Sequence, residues 1–155
     1  MAAAPTIARG KSCMSDKVFI DTNVLLYAYD QDSGAKHETA RKLIKRCWED
    51  TSGVISIQVL SEFFVRATRA GSSFVSPDEA ETIIQNLSHT WTIIIPDVPV
   101  VLEAIRGRKV HHLSYWDAMI WATAKQAMIS TIYTEDFQHD QIVEGVKFVN
   151  PFKQK

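Results

Sequence analysis

The chain has 155 residues, 46% of them hydrophobic and 23% charged, with a formal net charge of −1, the length and balance of about one globular domain with a single core. No apolar run approaches the roughly 18 residues that cross a bilayer, so a soluble protein without a membrane partner is expected, and the near-neutral total argues against a broad charge-driven grip on polyanions while leaving room for a local basic face. Cys13 and Cys47 lie outside any C-x-x-C spacing, as reduced thiols of a cytoplasmic protein do, without a metal role.

Residues 1–16 are small and polar and lack the long apolar core of a signal peptide; they read as a flexible tail before a single domain over 17–155, with Met14 as an alternative start. The run Val18-Phe19-Ile20 ends abruptly in Asp21-Thr22-Asn23, and apolar residues resume at helical spacing from Val24. A buried strand that delivers a carboxylate to its C-terminal end fits this pattern. Ligands of open α/β sheets bind at that end, whereas Asp21 or Asn23 as a plain helix cap is the alternative. A short helix to about Asp30, a polar break over 30–34 and a helix over 36–48 follow, the latter with Ala40, Leu43, Ile44 and Cys47 on one face. Its Arg41, Lys42, Lys45 and Arg46 read as a solvated face. Residues 54–57 predict a second strand, and the next helix, with Val59, Leu60, Phe63 and Phe64 as its stripe, carries Glu62 about one turn in.

Ser76-Pro77-Asp78-Glu79 sets a hydroxyl at the N-cap, proline at the first helical position and an acid at the third, a strong helix start. Residues 91–95 predict a third strand closed by Pro96, Asp97 a cap, and Val100, Val101, Leu102 and Ile105 a helix that ends at Gly107. Arg106, Arg108, Lys109, His111 and His112 then form the most basic loop of the chain. The adjacent histidines lack the i, i+4 spacing of a helical metal pair, and Arg108, Lys109 and His111 are candidates for contact with substrate phosphates. Residues 113–124 predict a buried helix with Asp117 in its first turn, where Ser114 three positions earlier also gives the spacing of a capping box. Tyr115, Trp116 and Trp121 on that helix read as packing residues in preference to base-stacking ones. Thr131-Ile132-Tyr133 then delivers Thr134-Glu135-Asp136-Phe137 as the first strand delivers Asp21, and residues 146–149 form the last strand.

Strands alternating with helices imply an α/β fold, a parallel sheet covered on both faces. Asp21 and Asp136 then lie at one edge, and helices that follow parallel strands start there too, so Glu62 and Asp117 converge on the same place. Carboxylates gathered in that way repel and raise one another's pKa unless a cation joins them. Hard oxygen ligands in that number suit Mg²⁺ or Mn²⁺, with which a water is activated against a phosphodiester.

The blocks Phe19-Ile20-Asp21-Thr22-Asn23, Ser56 through Glu62-Phe63, Tyr115-Trp116-Asp117-Ala118 and Thr134-Glu135-Asp136-Phe137, in that order, resemble the successive motifs of PIN domains. The resemblance spans Val18 to about Phe152. It implies a three-layer α/β/α sandwich with a mainly parallel sheet, whose acidic cluster binds Mg²⁺ or Mn²⁺ and hydrolyses RNA. Asp21, Glu62, Asp117 and Asp136 match the four acidic positions, with Asp21, Asp117 and Asp136 as metal ligands and Thr22, Asn23 and Thr134 as supporting polar residues. Glu135 is an extra acid beside Asp136, which is favoured as the fourth. Small single-domain proteins of this kind resemble VapC-type toxins, which act on RNA such as tRNA or mRNA, dimerise and are held by a protein antitoxin. The competing expectation is a catalytically silent module that binds RNA or protein. A phosphotransfer fold with Asp21 as nucleophile is disfavoured, because Asn23 stands where the second Asp of an Asp-x-Asp motif belongs.

Overall fold

The computed structural model describes residues 17–153; the predicted tail, with Cys13 and Met14, lies outside them. Within the described residues the order is β1 (Val18–Ile20), α1 (Thr22–Tyr29), a 3₁₀ turn (Gln31–Ser33), α2 (Ala35–Glu49), β2 (Gly53–Ser56), α3 (Ile57–Ala67), α4 (Pro77–Thr90), β3 (Thr92–Ile94), α5 (Val98–His111), α6 (Tyr115–Gln126), β4 (Thr131–Tyr133), β5 (Ile142–Val143) and β6 (Val146–Val149). The strands form one sheet in the order β3-β2-β1-β4-β6-β5. All neighbours are parallel except the β5–β6 pair, which is antiparallel.

Two crossovers, β1 to β2 and β2 to β3, step the same way across the sheet, and the return from β3 to β4 runs the other way past β2 and β1. Right-handed connections therefore put α1 to α4 on one face and α5 with α6 on the other. The packing agrees: α1 meets α2 and α3, α3 meets α4, and α5 pairs with α6. The result is the expected three-layer α/β/α sandwich. The central strands β1 and β2 are buried on both sides and read as apolar runs without alternation, whereas β6 alternates around Lys147; Phe19, Ile20, Val54, Ile55, Ile132 and Phe148 are sealed from solvent, as are Leu25, Phe63 and Trp121 on the covering helices.

Capping residues place the helix starts. Ser56 ends β2 and accepts from the Val59 amide to open α3, so the strand stops one residue short of the predicted 57. Ser76 and Glu79 form the predicted capping box on α4, and Asp97 Oδ1 accepts from the Val100 amide at the start of α5.

Helix α5 corrects the expected stop at Gly107. It runs through to His111 and ends at His112, whose φ of 57° turns the chain out of the helix. Arg106, Arg108, Lys109 and His111 are therefore helical and not a loop. Gly107 answers to packing: a Cβ there would lie 2.5 Å from Trp121 Cζ3. Strand β5, two residues long, was not foreseen; it pairs with β6 around a turn at Glu144 and Gly145.

Candidate acidic site

The connection that leaves β1 goes to β2, while β4 is followed in the sheet by β6 on its far side, so the strand order reverses between β1 and β4. Such a switch point opens a crevice at the carboxyl ends of the two strands. Asp21 follows β1 directly, and Thr134-Glu135-Asp136 follow β4. The Asp21 amide donates to the Tyr133 carbonyl at 3.0 Å, which locks the two ends together.

Buried hydrogen bonds fix this half of the site. Asp21 Oδ1 accepts from the Thr22 amide at 2.6 Å, which caps α1, and Oδ2 accepts from Thr134 Oγ1 at 2.7 Å and Asn23 Nδ2 at 3.2 Å. The same Asn23 amide donates to Asp136 Oδ2 at 2.8 Å, and Asn23 Oδ1 accepts from the Glu135 amide at 3.3 Å. Thr134 Oγ1 accepts in turn from the Asp136 amide at 3.1 Å. Just beyond, the Phe137 ring stacks on Phe148 with centroids 3.8 Å apart and anchors the segment to β6.

The other half comes from α3 and α6. Glu62 Oε2 accepts from Thr22 Oγ1 at 3.0 Å and Oε1 from Gln58 Nε2 at 2.8 Å. Gln58 Nε2 also donates to the Trp116 carbonyl at 3.3 Å, joining α3 to the first turn of α6. Asp117 receives the Ser114 hydroxyl at 2.5 Å while its amide donates back to Ser114 Oγ. Asp21 is thus a helix cap and a member of the cluster at once, whereas α6 is capped by Ser114, and the Asp117 carboxylate binds that hydroxyl and no backbone amide among the described residues, so the capping box expected from the spacing does not close.

Burial, more than mutual charge, sets the protonation of Asp21 and Asp117. Burial pushes the Asp21 carboxyl from 3.8 up to about 7; bonds from Thr134 and Thr22 oppose the rise, and the charges of Asp136 and Asp117 add to it. Burial likewise raises Asp117, against the Ser114 bond and with the help of Asp136 and Glu62. Among the described residues no Lys, Arg or His lies within ion-pair distance of Asp21, Glu62, Asp117 or Asp136. Glu135 is different: it faces Lys36 at 2.6 Å and the Tyr27 hydroxyl at 2.5 Å. The acid that stands with the cluster is Asp136.

An uncompensated all-oxygen cluster of this kind fits a hard divalent cation. Among the described residues no three His, Cys, Asp or Glu side chains close on one point as a ready-made ligand set. Mg²⁺ does not need one, since it keeps several waters and uses one or two carboxylates, and Asp21 and Asp136, joined through Asn23, supply that number.

The candidate phosphate contacts lie apart from this network. His111 Nε2 meets Glu144 at 2.6 Å and its ring packs edge-on against Trp121, within an ionic group that includes Arg106, Lys125 and Glu103. Arg108 and Lys109 are exposed, and no hydrogen bond or ion pair among the described residues ties them to the acids. Trp121 is sealed in the core, but Trp116, expected to pack, is 61% exposed beside Asp117. Gln58 escaped the sequence reading; its position one turn before Glu62 was the available signal.

The PIN domain family profile matches residues 18–145. No curated protein sequence matches the chain. Among solved structures, the chain is similar to VapC20 of Mycobacterium tuberculosis, a Sarcin-Ricin loop cleaving toxin (TM-score 0.59, 21% identity, covering 77% of this chain and 90% of that one). It is similar also to a toxin-antitoxin complex from Klebsiella pneumoniae (TM-score 0.64, 21% identity, 89% and 100% covered). DNA-bound VapBC of Salmonella typhimurium aligns with a TM-score of 0.61 at 15% identity, covering 85% of this chain and 96% of that one.

Proposed function

The chain belongs to the PIN domain family, and from that premise we propose that it is a divalent-metal-dependent endoribonuclease, the toxin of a toxin-antitoxin pair. The observation that carries this reading is the hydrogen-bonded network at the carboxyl edge of the sheet that joins Asp21 to Asp136 through Asn23 and brings Glu62 to Thr22, with Asp117 at the start of α6 and no cationic side chain among the described residues paired with the four acids. Toxins and toxin-antitoxin complexes among the similar structures support it.

Of the three expected ligands, Asp21 and Asp136, joined through Asn23, are the residues that would hold Mg²⁺ or Mn²⁺, with Asp117 the third acid beside them. A bound divalent ion supplies an activated water and offsets charge that develops on the phosphodiester. Asn23 and Thr134 hold the carboxylates of Asp21 and Asp136 in register through hydrogen bonds that cost no rearrangement during reaction. Glu62, oriented by Thr22 and Gln58, is placed to accept a proton from the attacking water. Trp116, exposed beside Asp117, offers a face on which a base stacks.

A protein antitoxin and a second copy of the chain are the proposed partners, in the cytoplasm. Val98, Leu102 and Ile105 lie at i, i+4 and i+7 on α5 and are exposed, an apolar stripe of the kind that pairs copies of a protein. Purified protein incubated with a mixed tRNA and mRNA pool, in Mg²⁺, in Mn²⁺ and in EDTA, tests the activity. Discrete products that disappear in EDTA and with Asp117→Asn are expected. RNA that is bound but left intact under every condition would overturn the nuclease in favour of a silent binding module.

A further inference from the structure

Resting on that nuclease reading, we infer that the recess walled by Asn23, Tyr27, Arg66, Arg69, Ser72 and Phe74 is a backbone subsite, in which Arg66 and Arg69 hold RNA phosphates next to the bond that is cut. The recess adjoins the acids through one shared residue. Asn23, whose amide bridges Asp21 and Asp136, also lines it. Arg66 stands one turn beyond Glu62 on α3, on the same face and about 6 Å further along the axis. A strand with one phosphate at the carboxylates thus carries its neighbours toward the arginines.

Both arginines are exposed, and among the described residues neither makes an ion pair or a side-chain hydrogen bond. The carboxylate that lines the recess, Asp30, is already committed: it accepts from the Asp32 amide at 3.1 Å and from Ser33 Oγ at 2.6 Å. The far wall is held in place as well. The Phe74 amide donates to the Ala67 carbonyl at 3.1 Å and the Ser72 amide to the Arg69 carbonyl at 3.1 Å, folding the segment back over the end of α3. A cation in the last turn of a helix also complements the helix dipole, which accounts for Arg66 alone; Arg69 lies past the C-cap Thr68.

Volume selects the ligand. At about 250 Å³ the recess is below the range that encloses a drug-sized molecule, but it admits a phosphate with part of its sugar, and guanidinium forks match phosphate oxygens in pairs. The contact is to the backbone and carries no base preference. A larger recess of about 690 Å³ between the 3₁₀ turn and α4 carries acids that serve as caps, Asp30 and Glu79 among them.

Binding of a short fluorescein-labelled single-stranded RNA of mixed sequence, followed by anisotropy across a KCl series in Mg²⁺, tests the subsite. The protein is the full chain with Asp117→Asn to prevent turnover, with and without Arg66→Ala and Arg69→Ala. Each arginine lost should lower the slope of log affinity against log salt by roughly 0.7. Lys42→Ala with Lys45→Ala, the same change of charge on α2, should leave the slope in place. In the otherwise unaltered enzyme, Arg66→Ala with Arg69→Ala should raise KM for RNA about tenfold and leave kcat within about twofold. Unaltered slope and KM in a variant that melts with the parent would overturn the subsite while the nuclease stands, and would leave the recess to an acidic segment of a partner protein. Failure of the parent to bind or cut RNA at all would overturn both.

Discussion

Asp21→Asn should make the protein more stable and inactive together. Asp21 is 5% exposed, and its carboxyl is pushed from 3.8 to about 7. At 1.36 kcal/mol per unit, holding it ionised in the fold costs about 4 kcal/mol. Below pH 3.8 it is protonated whether the chain is folded or unfolded, and the cost is absent. Between there and pH 7 the unfolded chain ionises first, so folding weakens with each unit of rising pH; above 7 the full cost is present. Asparagine removes the charge and keeps an acceptor for the Thr22 amide, but turns the other atom into a donor facing Asn23 Nδ2, a loss of about 1–2 kcal/mol. The balance is a gain of roughly 2–3 kcal/mol at pH 8, or about 4–12 °C in melting temperature for a chain of this size, shrinking to nothing or reversing at pH 4. Thermal unfolding followed by circular dichroism in EDTA, from pH 4 to 8, measures it. A variant that melts at or below the parent at pH 8, or an advantage that does not shrink toward pH 4, would refute the account. Mn²⁺ at pH 8 should then raise the melting temperature of the parent by mass action and leave the variant unmoved.

Gly107→Ala should destabilise by about 1–2 kcal/mol, since the Cβ falls 2.5 Å from Trp121 Cζ3 and the strain of overpacking exceeds the gain in helix propensity; chemical denaturation reads the loss, and near-ultraviolet circular dichroism reads the displaced indole. Trp116→Ala, at a side chain 61% exposed, should shift stability by no more than about 0.5 kcal/mol and raise KM for RNA, which steady-state cleavage separates from any change in fold. Glu103 is held at about 2 by the Arg106 bond, against burial and with Lys125 helping, and Glu144 is lowered by Arg106, Lys125 and His111. Carboxylates lowered in the fold stabilise it above their unfolded pKa near 4.5, and that support is lost as pH falls toward 2. Glu144→Gln should therefore flatten the fall in melting temperature over that window, as thermal scans at successive pH values will record.

The start of the strand-helix alternation was legible because β1 and β2 are short apolar runs closed directly by a capping residue, Asp21 and Ser56. Features set by tertiary contact were not. Gly107 has the look of a helix stop, and only the indole pressed against it shows why glycine stands inside α5. Strand β5 is two residues long, too short to display a period. The segment 113–124 is apolar or small on most sides, so periodicity could not tell that Trp121 turns inward and Trp116 outward. Arg66 and Arg69 carry no motif of their own, because the wall that makes them a recess arrives with Ser72 and Phe74.

The cap and the site were never rivals. A helix that follows a parallel strand begins at the carboxyl edge of the sheet, so the acid that satisfies its first amides already stands where a ligand would bind. Asp21 accepts from the Thr22 amide with one oxygen and meets Thr134 and Asn23 with the other. On α6 the cap is Ser114, and Asp117 reaches the same edge by taking that residue's hydroxyl, within the charges of Asp136 and Glu62. What separates a cap from a cluster is company: Glu79 caps α4 as neatly as Asp21 caps α1, but the charges that raise Asp21 come from Asp136 and Asp117, acids set beside it by other elements of the fold, whereas the influences on Glu79 are its bonds to Ser76, which lower it, and a little burial. The informative signal in the sequence was therefore never one strand ending in a carboxylate. It was the recurrence of that device at β1 and β4, the two strands between which the sheet reverses.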